Sequence, residues 1–408
     1  MIVQSTLASF SHKLGQREYM IFQFMAGLCY VTILHGYRVI FTLLITLGNF
    51  ALTRVFSGAF LRKSVWIYNL AVLVLVSWDG ESWTLPFVSS FRGMSGWAHM
   101  FNMFMLKQIS FGVDFSSSSS GNIVSYLGYI FYTPLFLAGP IVTYEGWLAQ
   151  VETCSINWRY TRTYALRWIV SFVIIEVWTH LSYANTIAAH GKSSVLALVT
   201  SPVLAFHLSV SVFVFMWLKF LLIWRFFRLW SLLNGIDVPE NMNRCVMTNY
   251  SMVQFWKDWH ASFNLWLIKY VYIPLGGSRS NRFLNIFIVF TFVALWHDMN
   301  WRVFHWAFLV FAIMAPELVC TAIYRSKLGT FRSRHPTLAK ILKTSFAALN
   351  INFLILANMV GYVFGIDGVD VLRRNLEWDI YSVFAILAFL YSSASMTIWL
   401  DHRRALAK

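Results

Sequence analysis

Charge is what this sequence has least of: Asp, Glu, Lys and Arg together make up 12% of its 408 residues, against 58% for the apolar types. So few charged groups cannot cover the surface of a soluble domain, and a mean hydropathy of +0.60 excludes an ordinary water-soluble fold. Interruptions are missing too, since residues 193–218, 344–366 and 380–400 hold no Asp, Glu, Lys or Arg at all. Stretches of that length cross the hydrocarbon of a bilayer. Acidic residues are the scarcer sign, 17 against 32 basic ones, for a net charge of +15. That excess does not indicate nucleic acid, because the basic residues are scattered at the ends of apolar runs and form no basic domain. Anionic lipid headgroups are the partner that fits.

Cysteine is also sparse. Cys29, Cys154, Cys245 and Cys320 lie far apart, with neither disulfide-framework nor metal-site spacing, so no metal and no cofactor are expected. A small-residue cleavage pattern is missing after the first apolar run, which therefore reads as a retained span in a chain that starts near Met1. No internal symmetry relates the two halves, which argues against a transporter built from inverted repeats.

What is present in quantity is aromatic: 18% of residues, with 19 Trp, as suits interfacial belts and tight packing between spans. Apolar runs cover about 19–37, 39–53, 64–78, 122–144, 163–187, 201–224, 281–298, 302–324, 341–364 and 380–400, so the expectation is one all-α membrane-embedded domain over 1–408 with roughly ten to eleven spans. Residues 234–280 are too polar to span simply yet dense in Trp, Tyr and Phe, as expected of re-entrant or interfacial helices. Residues 115–121, with five consecutive serines from Ser116 to Ser120, read as a flexible exposed loop. Arg325, Lys327, Arg332, Arg334 and Lys340 in one loop, and Arg403, Arg404 and Lys408 in the tail, assign both to the cytosol. Counting back one span puts the turn after His297 on the opposite side.

Ionisable groups within spans are costly and so are functional candidates by default. Glu176 and His180, four apart on a helix, read as a structural pair. His207 reads as a hydrogen-bonded packing residue. Arg225 and Arg228, in WRFFRLW, either snorkel to the interface or clamp the phosphates of a bound substrate.

The stretch 255–275, FWKDWHASFNLWLIKYVYIPL, differs in kind. As a helix to Tyr270 it puts Trp256, His260, Phe263, Asn264 and Leu267 on one face, with Pro274 and the Gly276–Gly277 pair as its stop and turn. A histidine on an aromatic face is more often a satisfied core residue than a catalyst, and the neighbours of His260 do not decide between the two. Further on, FIVFTFVALWHDMNWR sets His297 at the end of a strongly apolar run, with Val293 and Ala294 at the preceding turn and no acid to orient it. Asp298 points about 100° away and fits a cap or loop position. A neutral imidazole in apolar surroundings suits a general base acting on a hydroxyl.

These residues together resemble the membrane-bound O-acyltransferase (MBOAT) family. The likeness rests on the His260 segment with YVYIPLGGSR (270–279), followed by ALWH (294–297). FYTPLFLAGPIVTY (131–144), WRFFRLWSLLNGIDVPENMNRC (224–245) and FVALWHD (292–298) resemble its glycerol-uptake-protein and Hedgehog-acyltransferase branch, and the likeness covers roughly 90–400. The resemblance implies a helical fold around a central tunnel, acyl-CoA as co-substrate from the cytosolic side, and a lipid or lipid-anchored acceptor. It implies catalysis by His297, with His260 as the second active-site position and Asn264, Trp256 and Asp298 as candidate supports. Its glycerol-uptake-like members imply an endoplasmic reticulum enzyme that re-esterifies lyso-glycosylphosphatidylinositol (lyso-GPI). A Hedgehog-type peptide acyltransferase and a glycerol transporter are the alternatives.

Overall fold

The computed structural model describes all residues but 80, 81, 84–92, 94, 95, 119, 120, 184, 185, 187–195, 407 and 408, and its elements are all helical. In chain order they are α1 (Ile2–Leu14), α2 (Gln16–His35), α3 (Val39–Val55), α4 (Gly58–Asp79), α5 (Trp97–Ser118), α6 (Ile123–Ile130), α7 (Thr133–Phe136), α8 (Tyr144–Thr153) and α9 (Trp158–Ser182). They continue as α10 (Pro202–Leu233), α11 (Met252–Asp258), α12 (Ala261–Leu267), α13 (Arg282–His297), α14 (Trp301–Ser326), α15 (Gly329–Arg334), α16 (Pro336–Asn358), α17 (Gly365–Asn375) and α18 (Ile380–Leu406). Among the described residues, 7 helical stretches are long and apolar enough to span a membrane: Gln16–Val55, Gly58–Asp79, Trp158–Ser182, Pro202–Leu233, Trp301–Ser326, Pro336–Val363 and Ile380–Leu406. This is an integral membrane protein.

Local chemistry starts the helices where they start. Ser201 caps α10 through the Leu204 N–H, with Pro202 at the first position, where its missing N–H costs nothing. Asn281 and Asn300 cap α13 and α14 in the same way. Side chains such as Leu166, Val173 and Ile174 on α9, and Phe384 and Leu387 on α18, are exposed, as lipid-facing residues must be. Deeper in, the helices close tightly: a Cβ on Gly27 of α2 would collide with the Phe131 backbone at the end of α6.

Three expectations are corrected. The run 122–144 is not a span: it makes α6, the single turn α7 around Pro134, and irregular chain to Thr143, buried or half-buried from Val124 onward. Irregular backbone is tolerated at membrane depth only in such enclosed positions. The polar stretch before it is the central helix α5, in which every residue from Phe101 to Gly112 is buried. Ser116 to Ser118 form the last turn of α5 and bond back to Val113 and Asp114, so they are no loop; Ser119 and Ser120 lie outside the described residues. His207, third, is exposed on α10 and not packed.

Candidate active site

The segment with His260 does not run as one helix. It breaks at Trp259–His260, and His260 adopts φ 48, ψ 48 before α12 begins. The cause is the loop that follows α10. Its Asn243 N–H donates to the Asp258 carbonyl (3.2 Å), and its Asn241 carbonyl accepts the Ala261 N–H (3.0 Å). Asn241 Oδ1 takes the Ser262 N–H (3.1 Å), and Met242 pairs with Trp259 as an isolated antiparallel bridge. Backbone groups that a continuous helix would use internally are thus bonded to the loop. A left-handed non-glycine residue is costly and persists only where its surroundings over-determine it, a pattern concentrated at functional sites.

The His260 ring stacks on Trp224 of α10 (centroids 4.5 Å apart, 18° between planes) and lies 5.1 Å from Phe263 and 6.1 Å from Trp296. His297 ends α13. Its ring is 4.7 Å from Trp296, 6.0 Å from Tyr362 and 6.4 Å from Trp306. Trp296 therefore stands between the two histidines. Neither imidazole is hydrogen-bonded to a protein group among the described residues, and both line one cavity of ≈ 590 Å³. Trp256, Phe263, Asn264 and Leu267 line it as well, so the expected cluster does face one space, although a broken helix delivers it. Asp298 is the exposed residue closing α13.

Several contributors carried no motif. Asn102 of the buried helix α5 lines the cavity; its Nδ2 donates to the Trp296 carbonyl (2.5 Å), and the Trp296 indole N–H donates to the Asn102 carbonyl (3.0 Å). One of the last, otherwise open, carbonyls of α13 is thereby satisfied, and the residue beside His297 is held from two directions. Tyr362 belongs to the π turn Met359–Val363 that extends α16, and wide turns of this kind often mark functional sites. Neither carries a local sequence signal, because each acts through what it meets across the fold.

The two arginines proposed for phosphate lie elsewhere. Arg228 is buried: its guanidinium binds the Val238 carbonyl (2.7 Å), Asp237 (2.7 Å) and the Tyr160 hydroxyl (3.0 Å), with the Tyr164 ring beneath it. It anchors the loop that breaks the His260 helix. Arg225 donates to Ser171 on α9 (2.8 Å). Neither lines the cavity; the cations that do are Lys257 and Arg282, both exposed and neither in an ion pair among the described residues. Arg282 opens α13 and His297 closes it, about 22 Å apart at 1.5 Å per residue. Arg282 and His297 thus mark the two ends of α13 on this cavity, and Lys257 joins it from α11. No group of His, Cys, Asp and Glu suited to a metal ion occurs among the described residues.

An all-helical membrane protein with two unpaired histidines on an apolar cavity defines the class. The chain belongs to the membrane-bound O-acyltransferase family, whose match covers residues 39–360. It is similar to membrane-bound O-acyltransferase gup1 of Schizosaccharomyces pombe, 33% identical over 84% of this chain and 65% of that protein. It is 30% identical to membrane-bound O-acyltransferase GUP1 of Saccharomyces cerevisiae, over 90% of this chain and 72% of that one. More distantly, it is 27% identical to the mouse protein-cysteine N-palmitoyltransferase HHAT, over 69% of this chain and 58% of HHAT. The chain spans 65% of the length of the fission-yeast relative.

Proposed function

We propose that this protein transfers a long-chain fatty acyl group from acyl-CoA to a lipid hydroxyl, with lyso-GPI as the acceptor and the endoplasmic reticulum membrane as the setting. The observation that carries this reading is the pair His260 and His297 on one largely apolar cavity. An acyl chain is accommodated by apolar walls such as Phe213, Met216, Val289, Phe290, Met314 and Leu318. The phosphates of the CoA moiety meet Lys257 and Arg282 at the rim, and the pantetheine arm lies along α13 toward His297.

In the reaction, the acceptor oxygen bonds to the thioester carbonyl carbon while His297 takes the hydroxyl proton. The C–S bond then breaks, and the proton passes to the departing CoA thiolate. His260 positions a reactant or steadies the oxyanion, and no covalent acyl-enzyme forms. Asn264 and Trp256, which line the same cavity, are the candidate supports. The names of relatives support acyl transfer to an oxygen: the GUP1 proteins are called membrane-bound O-acyltransferases. HHAT, named for palmitoyl transfer to a protein cysteine, favours a peptide acceptor as the second reading. Basic loops at 325–340 and the basic tail support a cytosolic C-terminus.

The test is purified protein given labelled acyl-CoA with lyso-GPI, a lysophospholipid, glycerol or a Hedgehog-type peptide. Transfer to lyso-GPI that depends on His297 is the expected result. Transfer to the peptide alone would overturn the lipid assignment, and labelled glycerol uptake into liposomes without acyl transfer would overturn the enzyme.

A further inference from the structure

Three aromatic rings surround His297, and each carries a polar group that could serve the reaction: Trp296, Trp306 and Tyr362. Two of those groups are engaged or enclosed. The Trp296 indole N–H donates to the Asn102 carbonyl (3.0 Å), whereas that of Trp306 is buried beneath protein atoms and Trp306 does not line the cavity. The amides that line the cavity beside these rings are no freer. Asn102 Nδ2 is taken by the Trp296 carbonyl, and Asn358 Nδ2 donates to the Leu354 carbonyl of its own helix (2.8 Å). The indole N–H of Trp256 is enclosed like that of Trp306. Tyr362 is the exception, since its hydroxyl makes no hydrogen bond among the described residues.

The helix around Tyr362 turns it to the cavity. Asn358, Met359, Tyr362 and Val363 all line that space, at spacings that fall on one side of a helix. Met359 and Val363 are buried there, but Tyr362 is 37% exposed, and the open space it borders is the cavity. The wide turn sets this direction. The Phe364 N–H reaches the Met359 carbonyl five residues back (2.8 Å), and Gly361 leaves room for the Trp306 ring where a Cβ would collide with it. Trp306 in turn packs on the Tyr362 ring, centroids 5.0 Å apart and 71° between planes. A hydroxyl left unpaired in an apolar space is costly, and the cost is removed when a bound group accepts from it.

The acyl-transfer reading, on which this inference rests, names a group that would accept. As the acceptor oxygen bonds to the thioester carbon, the carbonyl π pair moves onto its own oxygen, and that charge needs a donor. His297 is occupied in the same step as the base, and His260 stands beyond Trp296. We propose that Tyr362 is the catalytic donor to this oxyanion: its O–H bonds the thioester carbonyl oxygen, tightens as charge develops, and keeps its proton throughout. The pair then re-forms the carbonyl, the C–S bond breaks, and the proton on His297 passes to the thiolate. His260 is left to position a reactant.

The experiment replaces Tyr362 by Phe, which keeps the ring against Trp306 and removes only the oxygen. With acyl-CoA and a lysolipid acceptor, Tyr362→Phe should lower kcat by about 10²-fold, with KM for acyl-CoA and the unfolding midpoint near wild type. A wild-type kcat, or a loss confined to KM, would overturn the proposal. A second arm needs no turnover and separates contact with the carbonyl from a structural role. It measures binding of two CoA thioethers, an S-oxoalkyl-CoA that keeps a carbonyl and an S-alkyl-CoA that has none. Tyr362→Phe should weaken the first by about fivefold and leave the second unchanged. Equal weakening of both, or of neither, contradicts the assignment. If wild type binds neither thioether, the acyl-CoA reading itself fails and the tyrosine's role with it, so the two failures are told apart.

Discussion

His297 has no acid beside it, and the structure supplies none: its ring neighbours are Trp296, Trp306 and Tyr362. What fixes it is the helix end it belongs to, and that end is held by Asn102 on either side of Trp296. Replacing Asn102 by Ala removes the Nδ2 donor and leaves a buried carbonyl unmet, at a cost of about 1–3 kcal/mol. Acyl transfer should slow through kcat, with KM for acyl-CoA little changed, as steady-state kinetics on the purified variant would read. A fall in KM affinity with normal kcat would instead make Asn102 a substrate contact. His260→Ala should also lower kcat, by a smaller factor than loss of the general base, because a positioning or oxyanion group is one of several. The resemblance carried by the His260 segment and ALWH led to His297 and His260, and the helical face expected for His260 led to Trp256 and Asn264. Asn102 and Tyr362 were hidden because their importance lies in what they meet across the fold, at sequence distances that local patterns do not span.

At the scale of elements, the decisive feature is a helix that fails to continue. Local periodicity around His260 reads as unbroken helix, and nothing within 255–270 argues otherwise. The break comes from residues 241–243, which take the hydrogen bonds of Asp258, Ala261 and Ser262. Asn241→Ala should therefore reduce activity and stability together, by about 1–3 kcal/mol for the latter, measured by thermal unfolding in detergent; unchanged activity would mean that the bend does not set His260. A second element effect concerns Glu317, in the membrane span α14. Its carboxylate accepts from the Ser251 hydroxyl and from the N–H groups of Met252 (2.8 Å) and Val253 (3.4 Å), so it caps α11 from a neighbouring helix. Glu317→Gln, which removes the charge but keeps the shape, should lower the unfolding midpoint without moving KM for acyl-CoA.

Hydropathy read the long outer helices well, because lipid-facing surfaces must be apolar. It missed α5 for the opposite reason. Lys107, Gln108, Ser110 and Asp114 make that helix look like a loop, yet each finds partners: Lys107 on the Tyr129 and Ile130 carbonyls, Gln108 on Thr46, Ser110 on Tyr270, and Asp114 on Tyr270 and Lys269. Polar residues enclosed by protein at membrane depth are affordable when paired, and pairing is a tertiary property. The run 122–144 erred the other way, apolar enough to span but interrupted by Pro134, Gly139 and Pro140.

Across the whole molecule, the exposed cation Arg282 stands at one end of α13 and His297 at the other. The proposed reading brings the CoA phosphates to the exposed Lys257 and Arg282 and the acceptor hydroxyl to His297. Lys257→Gln with Arg282→Gln should raise KM for acyl-CoA by about tenfold and flatten its dependence on salt, because exposed cations attract phosphates through a screened field. Fatty acyl donors lacking the CoA phosphates should be insensitive to the same pair of changes. An unchanged KM would move the donor's entry away from this rim.

The central claim is that His297 is the base for acyl transfer, and a single-turnover assay of His297→Ala with labelled acyl-CoA and the best lysolipid acceptor tests it most directly. The expected result is a loss of about 10²–10⁴-fold in the rate of ester formation, with acyl-CoA binding and the unfolding midpoint retained. Ester formation at the wild-type rate by the folded variant would contradict the account.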